Sequence, residues 1–174
     1  MDLTTTYLGL PLRSPLVASA SPLSQSVDGM RKLEDAGAGA IVMFSLFEEQ
    51  FRLEQLALHH HTTFGTDSFA EALSYFPQPQ EFKASSVTYL ELIRKAKERV
   101  SIPIIASLNG STPGNWVKFA QQIEQAGADA LELNLYSIPT DPHLTGAQVE
   151  ENDLEVVSLV RSAIRISVPV KVSR

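Results

Sequence analysis

Three observations predict an α/β fold built from repeated βα units. Short apolar runs alternate with amphipathic segments along the chain, the joints between them echo one another, and no membrane-length apolar stretch or cysteine framework points to another class. The first run, "SPLVASAS", is bounded by prolines. In "SQSVDGMRKLEDAG", which follows it, Met30, Leu33 and Ala36 recur at helical spacing before Gly37 ends the helix. "AIVMFSLF" reads as a second strand. Beyond a long irregular stretch, "SSVTYLELIRKAKERV" reads as a helix with Val87, Leu90, Ile93 and Val100 on or near one face. "IPIIASLNG" is a third strand and "TPGNWVKFAQQIEQAG" a third helix, with Thr112 as N-cap and Pro113 at its first position. "ADALELNLYS", "EENDLEVVSLVRSAI" and "VPVKVS" complete the series as strand four, helix four and strand five.

The internal echoes are specific. "EDAGAGAIVM" (34–43) matches "EQAGADALEL" (124–133), and "VSIPIIAS" (100–107) matches "ISVPVKVS" (166–173), so the same helix-to-strand joints recur. Such alternation implies a parallel sheet, which leaves a doubly wound sheet or a barrel. No GxGxxG follows the first strand, which disfavours a dinucleotide-binding sheet. Strand four alternates Leu131, Leu133 and Leu135 with Ala130, Glu132 and Asn134. Strand five alternates Val168, Val170 and Val172 with Pro169, Lys171 and Ser173. One greasy and one polar face suit a (β/α)8, or TIM, barrel, in which the polar face looks inward. Five strands and four helices are present where closure needs eight of each, so the expectation is one domain, residues 1–174, forming a barrel truncated after about strand five.

Composition narrows the function. The net charge of −6, from 14 basic and 20 acidic residues without like-charge runs, argues against a nucleic-acid surface or a polybasic membrane patch. The absence of cysteine excludes thiolate metal sites and a cysteine nucleophile. The N-terminus lacks the pattern of a signal peptide and no apolar run approaches the ~20 residues of a membrane span, which makes the cytoplasm the default expectation.

Lys171 and Asn134 fall near the C-terminal ends of consecutive strands, on the polar face of each, where barrel active sites lie. Three readings of the lysine stand at this point. It could form a Schiff base with a carbonyl substrate, supply fixed positive charge to an electron-rich cofactor, or pair structurally with Glu132 one layer down.

"LTTTYLGLPLRSPLVASASP", "AGAGAIVMFSL", "ADALELNLYSIP" and "VPVKVS", in this order and approximate spacing, resemble the dihydroorotate dehydrogenase family, including the related barrel of dihydropyrimidine dehydrogenase. The resemblance covers nearly the whole chain and about the N-terminal half of a family barrel. It implies an FMN-dependent oxidoreductase acting on a dihydropyrimidine-like substrate in pyrimidine metabolism, with a homodimer or an electron-transfer partner. Carried over, Ala18, Ser19 and Ala20 match the segment that lines the flavin, Asn134 the asparagine that bonds flavin and substrate, and Lys171 the flavin-binding lysine. An ammonium there suits a ring that gains negative charge when hydride arrives. Ser137 aligns with the catalytic base, a cysteine or serine in the family. On strand two, Phe44 stands where the family has another flavin-contacting lysine, while Ser45 after it is kept. Tyr136 replaces a serine, and Ile138 and Pro139 replace Pro-Asn, so a substrate-binding asparagine is missing and the pocket departs from the family's.

The stretch at about 47–84 is too long for a plain βα connection and is expected to form an inserted lid or partner surface. His59, His60 and His61 within it do not converge as consecutive residues must to hold an ion, so no metal is expected. Phe69, Leu73 and Phe76 read as a packing stripe, and Asn109 with Gly110 as a turn before a helix. Barrels of this type hold phosphate after strands seven and eight, so the 174-residue chain is expected to carry ring contacts without the phosphate cradle, to be inactive alone and to expose sheet edges. A rival reading is a divergent barrel or fragment that serves as a non-catalytic binding or assembly module.

Overall fold

The computed structural model describes residues 2–47, 85–109, 113–136 and 140–172. The chain opens with a feature absent from the sequence reading, an antiparallel hairpin of Thr5–Tyr7 (β1) and Leu10–Leu12 (β2). Its two-residue turn places Leu8 at φ 56° and Gly9 at φ 78°, the mirror-image turn that matches strand twist. A leucine there is strained. Its side chain packs beside Leu12, Ala40, Val42, Ile105 and Ala130, and that burial offsets the strain.

Five parallel strands follow, Val17–Ala18 (β3), Ala40–Phe47 (β4), Ile104–Asn109 (β5), Ala130–Leu135 (β6) and Val170–Val172 (β7), and their spatial order is their chain order. A doubly wound sheet would reverse direction part-way. With right-handed crossovers a monotonic order brings every helix to one face. Val27–Asp35 (α1), Ser85–Arg99 (α2), Pro113–Gln125 (α3) and Gly146–Ala163 (α4) occupy that face, and Met30, Ile93, Ile123 and Val160 from the four helices join Ile41, Ile104 and Leu133 from the sheet in one core. The expected parallel α/β sheet with one helix-covered face is therefore present. Among the described residues no helix is long and apolar enough to cross a membrane.

The first echo has a structural cause. After α1 and after α3 the chain turns at Gly37 and Gly127, both at φ 96°. In each, the glycine N–H bonds back to a glutamate carbonyl (Glu34, 3.0 Å; Glu124, 2.9 Å) and the following alanine reaches one residue further, to Leu33 and Ile123. These are paired Schellman ends, which require a left-handed residue. The same glutamates use their carboxylates on the second echo. Glu34 accepts from the Ser101 N–H at 2.9 Å and from its hydroxyl, and Glu124 accepts from the Arg165 and Ile166 N–H groups at 2.7 and 3.1 Å. Each repeat thus clamps the entry to a neighbouring strand.

The Ser101 hydroxyl, opposed by desolvation and helped by the Ser101 N–H and the Arg13 guanidinium, holds the Glu34 carboxyl below the ordinary carboxylate range. A depressed pKa in the folded state stabilises at pH values above the unfolded pKa, and this contribution is lost as pH falls through the folded pKa. Glu34→Gln is expected to cost about 0.5–1 kcal/mol at pH 7, a figure limited by solvent screening. The gap between the urea midpoints of the two proteins should close as pH falls below the folded carboxyl's pKa, and a gap that persists undiminished in strong acid would contradict the assignment.

Two expectations are corrected. Val87 is exposed, and the inward face of α2 is instead formed by Tyr89, Ile93 and Ala96. Val168 packs against the helix-side core, but Val170 and Val172 are exposed, because β7 is the last strand of the described sheet. Ser167 precedes β7 and binds the chain's beginning, its hydroxyl donating to the Leu8 carbonyl at 2.9 Å.

Candidate functional site

The face of the sheet opposite the helices is layered. Its floor is apolar: Ala40, Val42, Ile105 and Ala130 lie together, covered by Leu12 of the hairpin. One step toward the C-terminal ends of the strands, Ser45, Ser107 and Glu132 stand in register across β4, β5 and β6. Asn134 and Lys171 pair one layer higher, across β6 and β7.

Ser45 reaches this layer through a bulge. The β4–β5 register slips between Val42 and Ser45, so an extra residue enters the strand and the alternation inverts. Phe44 turns to the helix side, where its ring meets Tyr89 edge-on at 5.1 Å, and Ser45 turns to the polar side. The position where the resemblance puts a second flavin lysine is consequently part of the core. Two side chains hold the backbone at the bulge, one acting on β4 and one on the facing β5. Ser24 Oγ, fully buried in a turn at Pro22–Ser24, accepts from the Phe44 N–H at 2.7 Å. Tyr89 Oη accepts from the Ser107 N–H at 2.9 Å and donates to the Ser107 carbonyl at 3.3 Å. Burial, eased by the backbone of Ser107 and reinforced by Glu132, drives the Tyr89 phenol far above its usual range, so it remains a donor. Tyr89→Phe should lose about 1–3 kcal/mol by leaving a buried N–H unpaired, read from the urea midpoint, and an unchanged midpoint would show that the bond contributes nothing.

The polar cluster is dense. Ser45 Oγ and Ser107 Oγ are 2.9 Å apart, Asn134 Nδ2 lies 2.8 Å from Ser107 Oγ and 3.3 Å from Ser45 Oγ, and Ser107 Oγ is 3.3 Å from Glu132 Oε1. Lys171 Nζ is 3.7 Å from the same Glu132 oxygen and 5.9 Å from the centroid of the Tyr136 ring. Burial pulls the ammonium down, but the Glu132 carboxylate and the Tyr136 hydroxyl outweigh it and hold Lys171 above the ordinary lysine range. The lysine is a permanent cation at neutral pH. Its side chain is 46% exposed, so it is open to a ligand as well as to Glu132.

Two buried acceptors have no hydrogen-bond partner among the described residues, Asn134 Oδ1 and Asn109 Oδ1. Unpaired buried carbonyls are uncommon and signal a missing partner. They lie toward the C-terminal ends of β6 and β5, the end at which barrels hold ligands. An exposed cation beside an orphan acceptor fits the edge of a planar ring bearing a carbonyl next to an N–H, which is the character of a flavin's pyrimidine edge.

The structure thus brings Ser45, Asn134 and Lys171 together. Ala18, Ser19 and Ala20 lie at the end of β3, beyond β4: Ala18 packs on the helix-side core, Ala20 on the floor cluster, and Ser19 is exposed. Ser137, the expected base, lies outside the described residues, as do Ile138 and Pro139, the stretch 48–84 with its three histidines, and Gly110. Among the described residues no cluster of three or more His, Asp or Glu side chains could hold a metal ion. Ser107 was missed in the sequence. The same period of two that selected Asn134 also selects Ile105, Ser107 and Asn109 on β5, and Ser107 is the polar residue at its centre.

No family model matches the chain. The chain is 31% identical, over 98% of its length, to a protein provisionally designated dihydroorotate dehydrogenase A (fumarate) in Aeropyrum pernix, of which it covers 53%. It is 25% identical, over 94% of its length, to the NAD-dependent dihydropyrimidine dehydrogenase subunit PreA of Escherichia coli K12, of which it covers 39%. The chain therefore spans about half or less of the length of these curated relatives. Among solved structures, a phosphonopyruvate hydrolase aligns over 89% of this chain and 46% of its own, with a TM-score of 0.48 and 21% identity.

Proposed function

From the premise that the chain is related over nearly its whole length to proteins named dihydroorotate and dihydropyrimidine dehydrogenases, we propose that it forms the flavin-ring face of an FMN-dependent oxidoreductase barrel acting on a dihydropyrimidine-like substrate. The observation that carries this reading is the pairing of Asn134, with its buried unpartnered Oδ1, and the half-exposed Lys171 on adjacent strands of the polar face. FMN, when bound, supplies hydride chemistry between carbon centres. The chain's own residues bind and orient: Asn134 Oδ1 accepts a ring N–H, and Lys171 Nζ presents positive charge to the adjoining carbonyl, where it favours the electron-rich form. Ser137 is the proposed base, a cytoplasmic location accompanies the reading, and a second copy or an electron-transfer protein is the proposed partner.

The Lys171–Glu132 ion pair favours a second reading, a non-catalytic module in which the lysine is structural. Titration of the chain with FMN and with lumiflavin, the ring alone, followed by flavin fluorescence, separates the two. Saturable quenching by both supports the flavin site. A folded chain that binds neither overturns it and leaves the structural reading.

A further inference from the structure

The hydrogen bonds of the polar face have a direction. Ser107 has a single hydroxyl proton, and its Oγ is 3.3 Å from a Glu132 oxygen that also faces Lys171 Nζ at 3.7 Å. A carboxylate only accepts, so the proton goes to Glu132. Ser45, 2.9 Å from Ser107, must then donate to it, which leaves both hydroxyl oxygens as acceptors for Asn134 Nδ2. Ser107 is saturated, with one proton given and two accepted. Turning the Asn134 amide over would set its carbonyl oxygen against two hydroxyls with no proton left to offer, in a residue only 4% exposed. The amide is therefore locked with Oδ1 on the side that has no partner.

We propose that Glu132 is a positioning residue: acting through Ser107, its carboxylate fixes the Asn134 amide so that the site presents an acceptor beside the Lys171 cation and selects a cyclic imide, a ring offering an N–H next to a carbonyl. The ligand half of this proposal rests on the flavin-site reading, and the hydrogen-bond half does not. It predicts more than the presence of an asparagine, because a neutral residue at position 132 that can donate would let the whole chain of bonds run in either direction.

Solution NMR of the Asn134 side-chain amide tests the first half without any ligand. In the wild-type chain both Nδ2 protons should exchange slowly, and fast exchange of either overturns the proposal whether or not any variant folds. In Glu132→Gln the amide signals should shift or split into two populations, and unchanged signals overturn it. Should that variant fail to fold, Glu132→Gln with Lys171→Met, which removes both charges, is read in the same way. For the ligand half, the wild type should bind lumiflavin about tenfold more tightly than N3-methyllumiflavin, the loss of one good hydrogen bond. In Glu132→Gln the preference should fall to about twofold or less, and retention of the full preference overturns the role of Glu132 in selectivity. If the amide responds as expected but the wild type binds no flavin, the positioning role stands and the flavin reading falls.

Discussion

Lys171→Met is expected to weaken the proposed flavin binding by at least about tenfold and to destabilise the fold at the same time, because it removes the cation from the proposed flavin edge and from Glu132. The Glu132 side chain is 11% exposed, so it would be left as a nearly buried charge without a counter-charge. Breaking a fully buried pair typically costs about 3–5 kcal/mol. The lysine here is half-exposed and water can replace it in part, so about 1–2 kcal/mol is expected. A double-mutant cycle distinguishes the two effects. Adding Glu132→Gln to Lys171→Met should recover most of the stability, read from urea denaturation, and none of the binding, read from lumiflavin fluorescence. Recovery of both would mean that the lysine contributes to the site only by balancing Glu132.

Gly39→Ala should strongly destabilise the molecule's first βα unit. A Cβ at Gly39 would lie 2.0 Å from the Ser14 carbonyl oxygen, a backbone atom with no side-chain freedom, while the Gly39 N–H is tied to the Leu16 carbonyl at 2.7 Å. The segment before β3 must therefore move away from the start of β4. Overpacking of this kind costs about 3 kcal/mol, which for a domain of this size lowers the thermal midpoint by roughly 6–12 °C. Gly146→Ala is the control, since a Cβ there meets nothing within 4 Å. A Gly39→Ala protein that melts with the Gly146→Ala control would refute the close approach.

The parts of this fold legible in the sequence are those that repeat or extend over several residues. The five strands and four helices follow from apolar periodicity, and the two glycine joints from an echo whose cause is the left-handed turn at Gly37 and Gly127. Asn134 and Lys171 were legible because β6 and the approach to β7 keep strict alternation. The hairpin was not, since three-residue strands show no alternation and leucine is a poor signal for a position with positive φ. The bulge at Phe44 was invisible for a different reason. An extra residue in β4 exists only relative to β5, and nothing within "AIVMFSLF" distinguishes the strand that carries it from one that does not. Tyr89 was hidden by the same fact, because its hydroxyl is needed only where the bulge meets Ser107. Glu132 was legible as a partner for Lys171, but its reach through Ser107 to Asn134 depends on side chains from three strands.

The identity of strand order and chain order also bears on how the molecule assembles. Each strand pairs with the one made just before it, so every pairing closes a loop of one βα unit, and the sheet can be laid down in the direction of synthesis without waiting for a distant segment. The bond from Ser167 to the Leu8 carbonyl spans far more of the chain, joining residues 159 positions apart. It cannot form until the approach to β7 has been added, and it then fastens the last part of the described sheet to the hairpin beneath the first. That contact is expected to form late in folding, after the early strands have acquired their neighbours.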